Sequence, residues 1–141
     1  MPDTAAPTSS ACPGCGAVLA DGPAPERLRA GASPACSRLF EDTLRGLRDD
    51  LDSDPGVAAL LRRAEDVYAA QHPDPRSPAT LQAALDELGL SGGRHAAAPT
   101  AWQTTIADVA ADLDVIELHV LIDRWADTVV QDWSGVPLSG V

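Results

Sequence analysis

The sequence predicts an all-α fold, a bundle of about five helices, and three observations predict it. Ser33-Pro34, Asp54-Pro55 and Ser77-Pro78 each set a capping side chain before a proline, the pattern of a helix start. The apolar residues that follow recur every three or four positions. Nowhere do apolar and polar residues alternate for long enough to argue for a sheet.

Taken in order, residues 1–10 are small, polar and proline-bearing, and they bury too little surface to offset the entropy of ordering. They are expected to form a tail, followed by a single domain over 11–133 and a frayed end at 134–141. Residues 12–32 hold only Val18, Leu19 and Leu28 as sizeable apolar anchors, so this stretch needs an external staple. The first helix, from Pro34 to about Asp52, carries Phe40, Leu44, Leu47 and Leu51 on one face. The second carries Val57, Leu60, Leu61, Ala64, Val67 and Tyr68, and His72-Pro73 ends it. The third buries Leu81, Leu85 and Leu88 and stops at Gly89. After a loop over 91–101, a short helix opens at Thr105 and leads to a longer one with the stripe Val115, Leu118, Ile122, Trp125, Val129 and Trp133.

Composition narrows the function. Twenty-one acidic side chains stand against ten arginines, with no lysine, and a formal charge of -11 repels phosphate backbones and anionic membranes. Neither nucleic acid nor membrane is expected as a partner. The start lacks the basic and apolar regions of a secretion signal, and no segment reaches the roughly 20 apolar residues of a bilayer span. A cytoplasmic location is therefore expected, and there three cysteines do not form a disulfide framework.

Metal chemistry explains the cysteines better. Cys12-Pro13-Gly14-Cys15-Gly16 has the form of a zinc knuckle, with two thiolates able to reach one tetrahedral ion. Half a site needs completing, and helix length indicates by what. At ~1.5 Å per residue, the first helix climbs about 23 Å from Cys36 and the second descends about 26 Å to His72, so a hairpin brings His72 back to Cys36. Cys36 lies in the first turn of its helix, where the partial positive charge favours a thiolate. Cys12, Cys15, Cys36 and His72 are the predicted metal ligands, with zinc as the cofactor. Two other readings stay open: a redox pair in CPGC, and three buried cysteines without a ligand. For His72, a plain contact with the helix dipole is the alternative.

Other features carry less. Asp50, Asp52 and Asp54 imitate a calcium loop, but Pro55 and Leu61 occupy the turn-glycine and bidentate-glutamate positions. His119 reads as a half-buried histidine bonded to a neighbour, and His95 as a loop histidine. Trp125 reads as core, whereas Trp133, near the chain end, is assigned to an exposed patch or subunit contact. No catalytic or organic-cofactor residue is identified.

CPGCG, SPAC, YAAQHP at Tyr68 to Pro73, TIADVAA and the Trp125-x7-Trp133 ending together resemble a family of small actinobacterial-type proteins known only as a domain of unknown function. The resemblance runs from Cys12 to Trp133 and implies a compact helical protein with a metal site at CPGCG, the third cysteine and the QHP histidine. The function expected on all these grounds is a binding or regulatory module with structural zinc, meeting a protein or small-molecule partner or pairing with a second copy through the C-terminal helix. The alternative is a metal-dependent enzyme or accessory protein acting on a small substrate.

Overall fold

A serine or aspartate followed by proline starts three of the five helices in the computed structural model, which describes residues 9–22, 25, 29, 31–52, 54–74, 76–90 and 98–136. Helix α1 (Pro34–Asp49) opens with Ser33 Oγ accepting the Cys36 N–H at 3.1 Å. Helix α2 (Pro55–Gln71) opens with Asp54 Oδ1 accepting from Gly56 at 2.9 Å. In α3 (Pro78–Glu87) the proline sits at the start, but the Ser77 hydroxyl makes no capping bond. Helix α4 (Ile106–Asp112) has a reciprocal capping box between Thr105 and Asp108, and α5 (Leu118–Ser134) closes the set. Gly89, at φ 85°, turns the chain out of α3, a conformation that costs glycine no side-chain clash.

The fold is mostly helical rather than all-α. Strands β1 (Ser9–Ala11) and β2 (Val18–Ala20) pair antiparallel with Ser10 opposite Leu19. At three residues each they are too short to leave an alternating pattern, and the pairing depends on the turn at Cys12–Cys15 between them. β1 takes in Ser9 and Ser10, which the sequence reading places in the tail.

Two apolar assignments move to the surface. Helix α1 ends three residues before Asp52, where Asp49 and Asp50 bring carboxylates to the negative end of the helix, and Leu51 beyond it is 44% exposed. Val115 lies in the tight turn between α4 and α5 and is 81% exposed, while Ile116 packs against the core. Trp133 moves the other way and is buried, its indole N–H bonded to the Ala70 carbonyl at 3.0 Å. That carbonyl is in the last turn of α2, where no helical N–H reaches it.

Helix α2 is the central element, packed on α3, α5 and α1, while α4 bridges α1 and α5. The core gathers Phe40 and Leu44 from α1, Ala64, Val67 and Tyr68 from α2, and Ile122, Trp125 and Val129 from α5. Among the described residues no helix is long and apolar enough to cross a membrane. Leu28, His95 and the 91–94 segment lie outside the described residues.

This distribution predicts a sharp contrast in denaturant unfolding. Leu44→Ala should cost about 2–5 kcal/mol because its side chain is fully enclosed. Leu51→Ala and Val115→Ala should each change stability by less than about 0.5 kcal/mol. A large loss at either would place the α1 end or the α4–α5 turn in the core.

Candidate metal centre

The N-terminal segment reaches the helices through a hairpin whose turn holds two cysteines. The β1–β2 ladder extends by one bond from the Cys12 N–H to the Ala17 carbonyl at 2.9 Å, and Gly16, at φ 78°, returns its N–H to the Cys12 carbonyl. The CPGC turn thus faces both thiols to one side. Helix α1 contributes Cys36 from its first turn, and α2 contributes His72 as its C-terminal cap. The helices are antiparallel, so one end of the pair supplies both.

All four side chains are buried, and their ligand atoms lie within 4.8 Å of one another. Cys15 Sγ is 3.8 Å from Cys36 Sγ, which is 3.5 Å from His72 Nε2. The arrangement is geometrically compatible with a metal ion. Tyr68 O lies 2.6 Å from His72 Nδ1, so that nitrogen donates its proton to the carbonyl and Nε2 is the ring nitrogen that faces the sulfurs. The Ser33 N–H donates to Cys12 Sγ at 3.4 Å and the Tyr68 hydroxyl to Cys36 Sγ at 3.2 Å. Both donors stabilise negative sulfur.

The charges of the cluster are tied together. Contacts with Cys15 and then Cys36 hold the Cys12 thiol far below its ordinary range, and the Cys12 and Cys15 sulfurs, with burial, hold Cys36 far above it. Burial alone would depress the His72 imidazole, yet hydrogen bonding with Cys12 and Cys15 overcomes it and raises His72 to about 9. The sulfurs therefore favour positive charge in their midst.

Residues around the cluster fasten it to the rest of the fold. The rings of Phe40, Tyr68 and His72 form a stack, with centroids 4.0 and 3.9 Å apart. Sequence reasoning missed Gln71, which is fully buried beside His72. Its Nε2 donates to the Thr104 carbonyl at 2.6 Å and its Oε1 accepts the Trp125 indole N–H at 3.0 Å. Trp102 donates to the Gly14 carbonyl at 2.9 Å, tying the C-terminal half to the knuckle. A polar glutamine between buried alanine and histidine, in a chain with three indole donors, was the available signal. Arg29 was also missed: its guanidinium lies 5.0 Å from the Phe40 ring centroid and bonds to Glu41 on α1 and Glu65 on α2. His119 takes no part in the cluster; it is exposed, with Nδ1 3.3 Å from Glu117 Oε2.

A family model described as "Family of unknown function (DUF5946)" matches residues 10–96, a span that holds all four donors. No curated protein and no solved structure matches the chain.

Two glycines of the turn should respond differently to substitution. A Cβ on Gly14 would lie 2.5 Å from His72 Cδ2 and 2.7 Å from the Gln71 and Gly31 carbonyl oxygens, leaving no room for a methyl group. Gly14→Ala should therefore open the cluster and lower the melting temperature by more than about 5 °C, the effect of roughly 2 kcal/mol in a chain of this size. Gly16→Ala meets open space and should cost only the strain of a positive φ, about 1 kcal/mol. Equal effects at the two positions, read from thermal unfolding, would contradict this packing.

Proposed function

The chain belongs to the family of unknown function that residues 10–96 match, and from that premise we propose that it is a binding or regulatory module held together by one structural zinc ion. The closeness of four soft donors at one buried point carries this reading. Tetrahedral zinc, with sulfur at ~2.3 Å and nitrogen at ~2.0 Å, sets sulfur pairs about 3.8 Å apart and sulfur–nitrogen pairs about 3.5 Å apart. The Cys15–Cys36 and Cys36–His72 separations are 3.8 and 3.5 Å.

Cys12, Cys15, Cys36 and His72 would hold the ion, which would supply charge neutralisation and cross-linking. Three thiolates and one imidazole fill a tetrahedral shell and leave no position for a substrate or an activated water. That favours structural zinc over a catalytic one. The His72 Nδ1–H to Tyr68 bond keeps the ring in the tautomer that ligates through Nε2. The hairpin over residues 12–20, with few apolar anchors of its own, would gain its order from the ion. The acidic exterior, at a formal charge of -11, then serves partner recognition or solubility rather than chemistry.

Protein purified without chelator should contain one equivalent of zinc per chain, with a sulfur-rich shell in X-ray absorption containing three sulfurs and one nitrogen. Less than about half an equivalent would refute zinc. His72→Ala should release the metal and lower the melting temperature by about 6–12 °C, the equivalent of roughly 3 kcal/mol, whereas His72→Cys should retain it. An unchanged zinc content in His72→Ala would remove the histidine from the shell.

Acid should release the ion because each ligand binds zinc only after losing its proton. Zinc occupancy, followed with a chromophoric chelator, should be complete at neutral pH and fall as the pH drops, with stability falling alongside. Occupancy that rises on acidification would contradict thiolate and imidazole ligation.

A further inference from the structure

Between α2 and α3 two adjoining depressions, of about 190 and 490 Å³, share Arg29, Glu65, Ala69 and Thr80 and form one groove. Its narrower end rests on Tyr68 and His72 beside the metal centre. Its wider end is walled by the small side chains of Ala79, Ala83 and Ala84 and contains Asp66.

The charges lining the groove do not cancel. Arg29 bonds to Glu41 and Glu65, and Arg48 lies 3.4 Å from Glu41 and 3.8 Å from Glu65, so two cations meet two anions. Asp74 is engaged by Arg76, whose backbone N–H and Nε donate to it at 3.0 and 3.3 Å. Asp66 is left over. It is partly buried, and among the described residues it makes no hydrogen bond or ion pair. Burial and the neighbouring Glu87 push its carboxyl above the ordinary range, with only partial relief from Arg62.

We propose that this groove binds a small alkylammonium ion, with its N–H donors on the Asp66 carboxylate and its hydrocarbon chain against Ala69, Ala79 and Ala83. A carboxylate among methyl groups lacks the solvation it has in bulk water, and a charged N–H donor restores what burial removes. An anion would meet Asp66 and Glu65 unfavourably, and a lone free carboxylate is a poor seat for a divalent ion, which takes several oxygens. The Thr80 and Ser77 hydroxyls make no side-chain hydrogen bond among the described residues and can accept further N–H groups. The chain contains no lysine, so no side-chain ammonium of its own can fill the groove. The wider end, which holds Asp66, Ala79 and Ala83, measures about 490 Å³, within the roughly 300–1,000 Å³ of small-molecule sites, which favours a free amine. This inference rests on the reading of the protein as a binding module and names its ligand class.

Calorimetric titration of the full chain as purified, with zinc content measured in every sample, tests it. The probes are n-butylammonium, n-butyrate and Nα-acetyl-lysinamide. Saturable binding of n-butylammonium is expected, with no binding of butyrate. Affinity should fall at least tenfold in Asp66→Asn, which removes the charge at nearly constant shape, and in Ala83→Leu, which fills the groove from an exposed position of α3. His119→Ala should bind as the unaltered chain does. Absence of saturable binding, equal affinity in Asp66→Asn, or a preference for butyrate would overturn the proposal. Tighter binding of the lysinamide would overturn it in favour of a protein partner's lysine. Amine binding by a chain without zinc would sink the metal reading alone, and a zinc-loaded chain that ignores the amine would sink the groove alone.

Discussion

The last turn of α2 is the constraint on which the rest of the structure depends. A helix end leaves carbonyl groups without intrahelical partners, and burying them demands donors from elsewhere. Here one donor is local and one comes from the C-terminal helix. The Tyr68 carbonyl faces the imidazole of His72, and the Ala70 carbonyl takes the indole of Trp133. Gln71 joins Thr104 to Trp125. These bonds orient His72 at the same time as they satisfy the helix end, so the Cys/His cluster and the C-terminal core share one anchor.

Around that anchor, aromatic packing carries the link between centre and core. Tyr68 lies between Phe40 and His72 in the ring stack, and Trp125 meets both Phe40 and Tyr68 edge-on, with centroids 6.2 and 6.4 Å apart. Stacked and edge-to-face pairs combine large apolar area with defined orientation. Arg29 covers the stack from outside while its guanidinium bridges carboxylates on α1 and α2. Such a pair of bridges ties Arg29 to both helices through residues other than the four cluster side chains.

Helix α2 borders both the sulfur cluster and the groove against α3. Tyr68 and His72 belong to the sulfur cluster and also border the groove's narrower end. Asp66 and Ala69 border the groove's wider part, which packing leaves open. Small alanines on α3 keep the helices close without filling the space.

Much of this was legible in the sequence because it is local or periodic. Serine or aspartate before proline marks a helix start through the chemistry of one turn, and Phe40, Leu44, Val67 and Trp125 declare their burial by spacing. The four metal candidates were legible because CPGC and the lengths of α1 and α2 are properties of the linear chain. Tertiary packing decided the rest. It paired two three-residue strands, exposed Leu51 and Val115, drew Trp133 inward, and gave Gln71 and Arg29 roles that no spacing encodes. The physical reason is that a helix start or stripe needs only near neighbours, whereas a buried carbonyl, indole or guanidinium is satisfied by whatever the folded chain brings beside it.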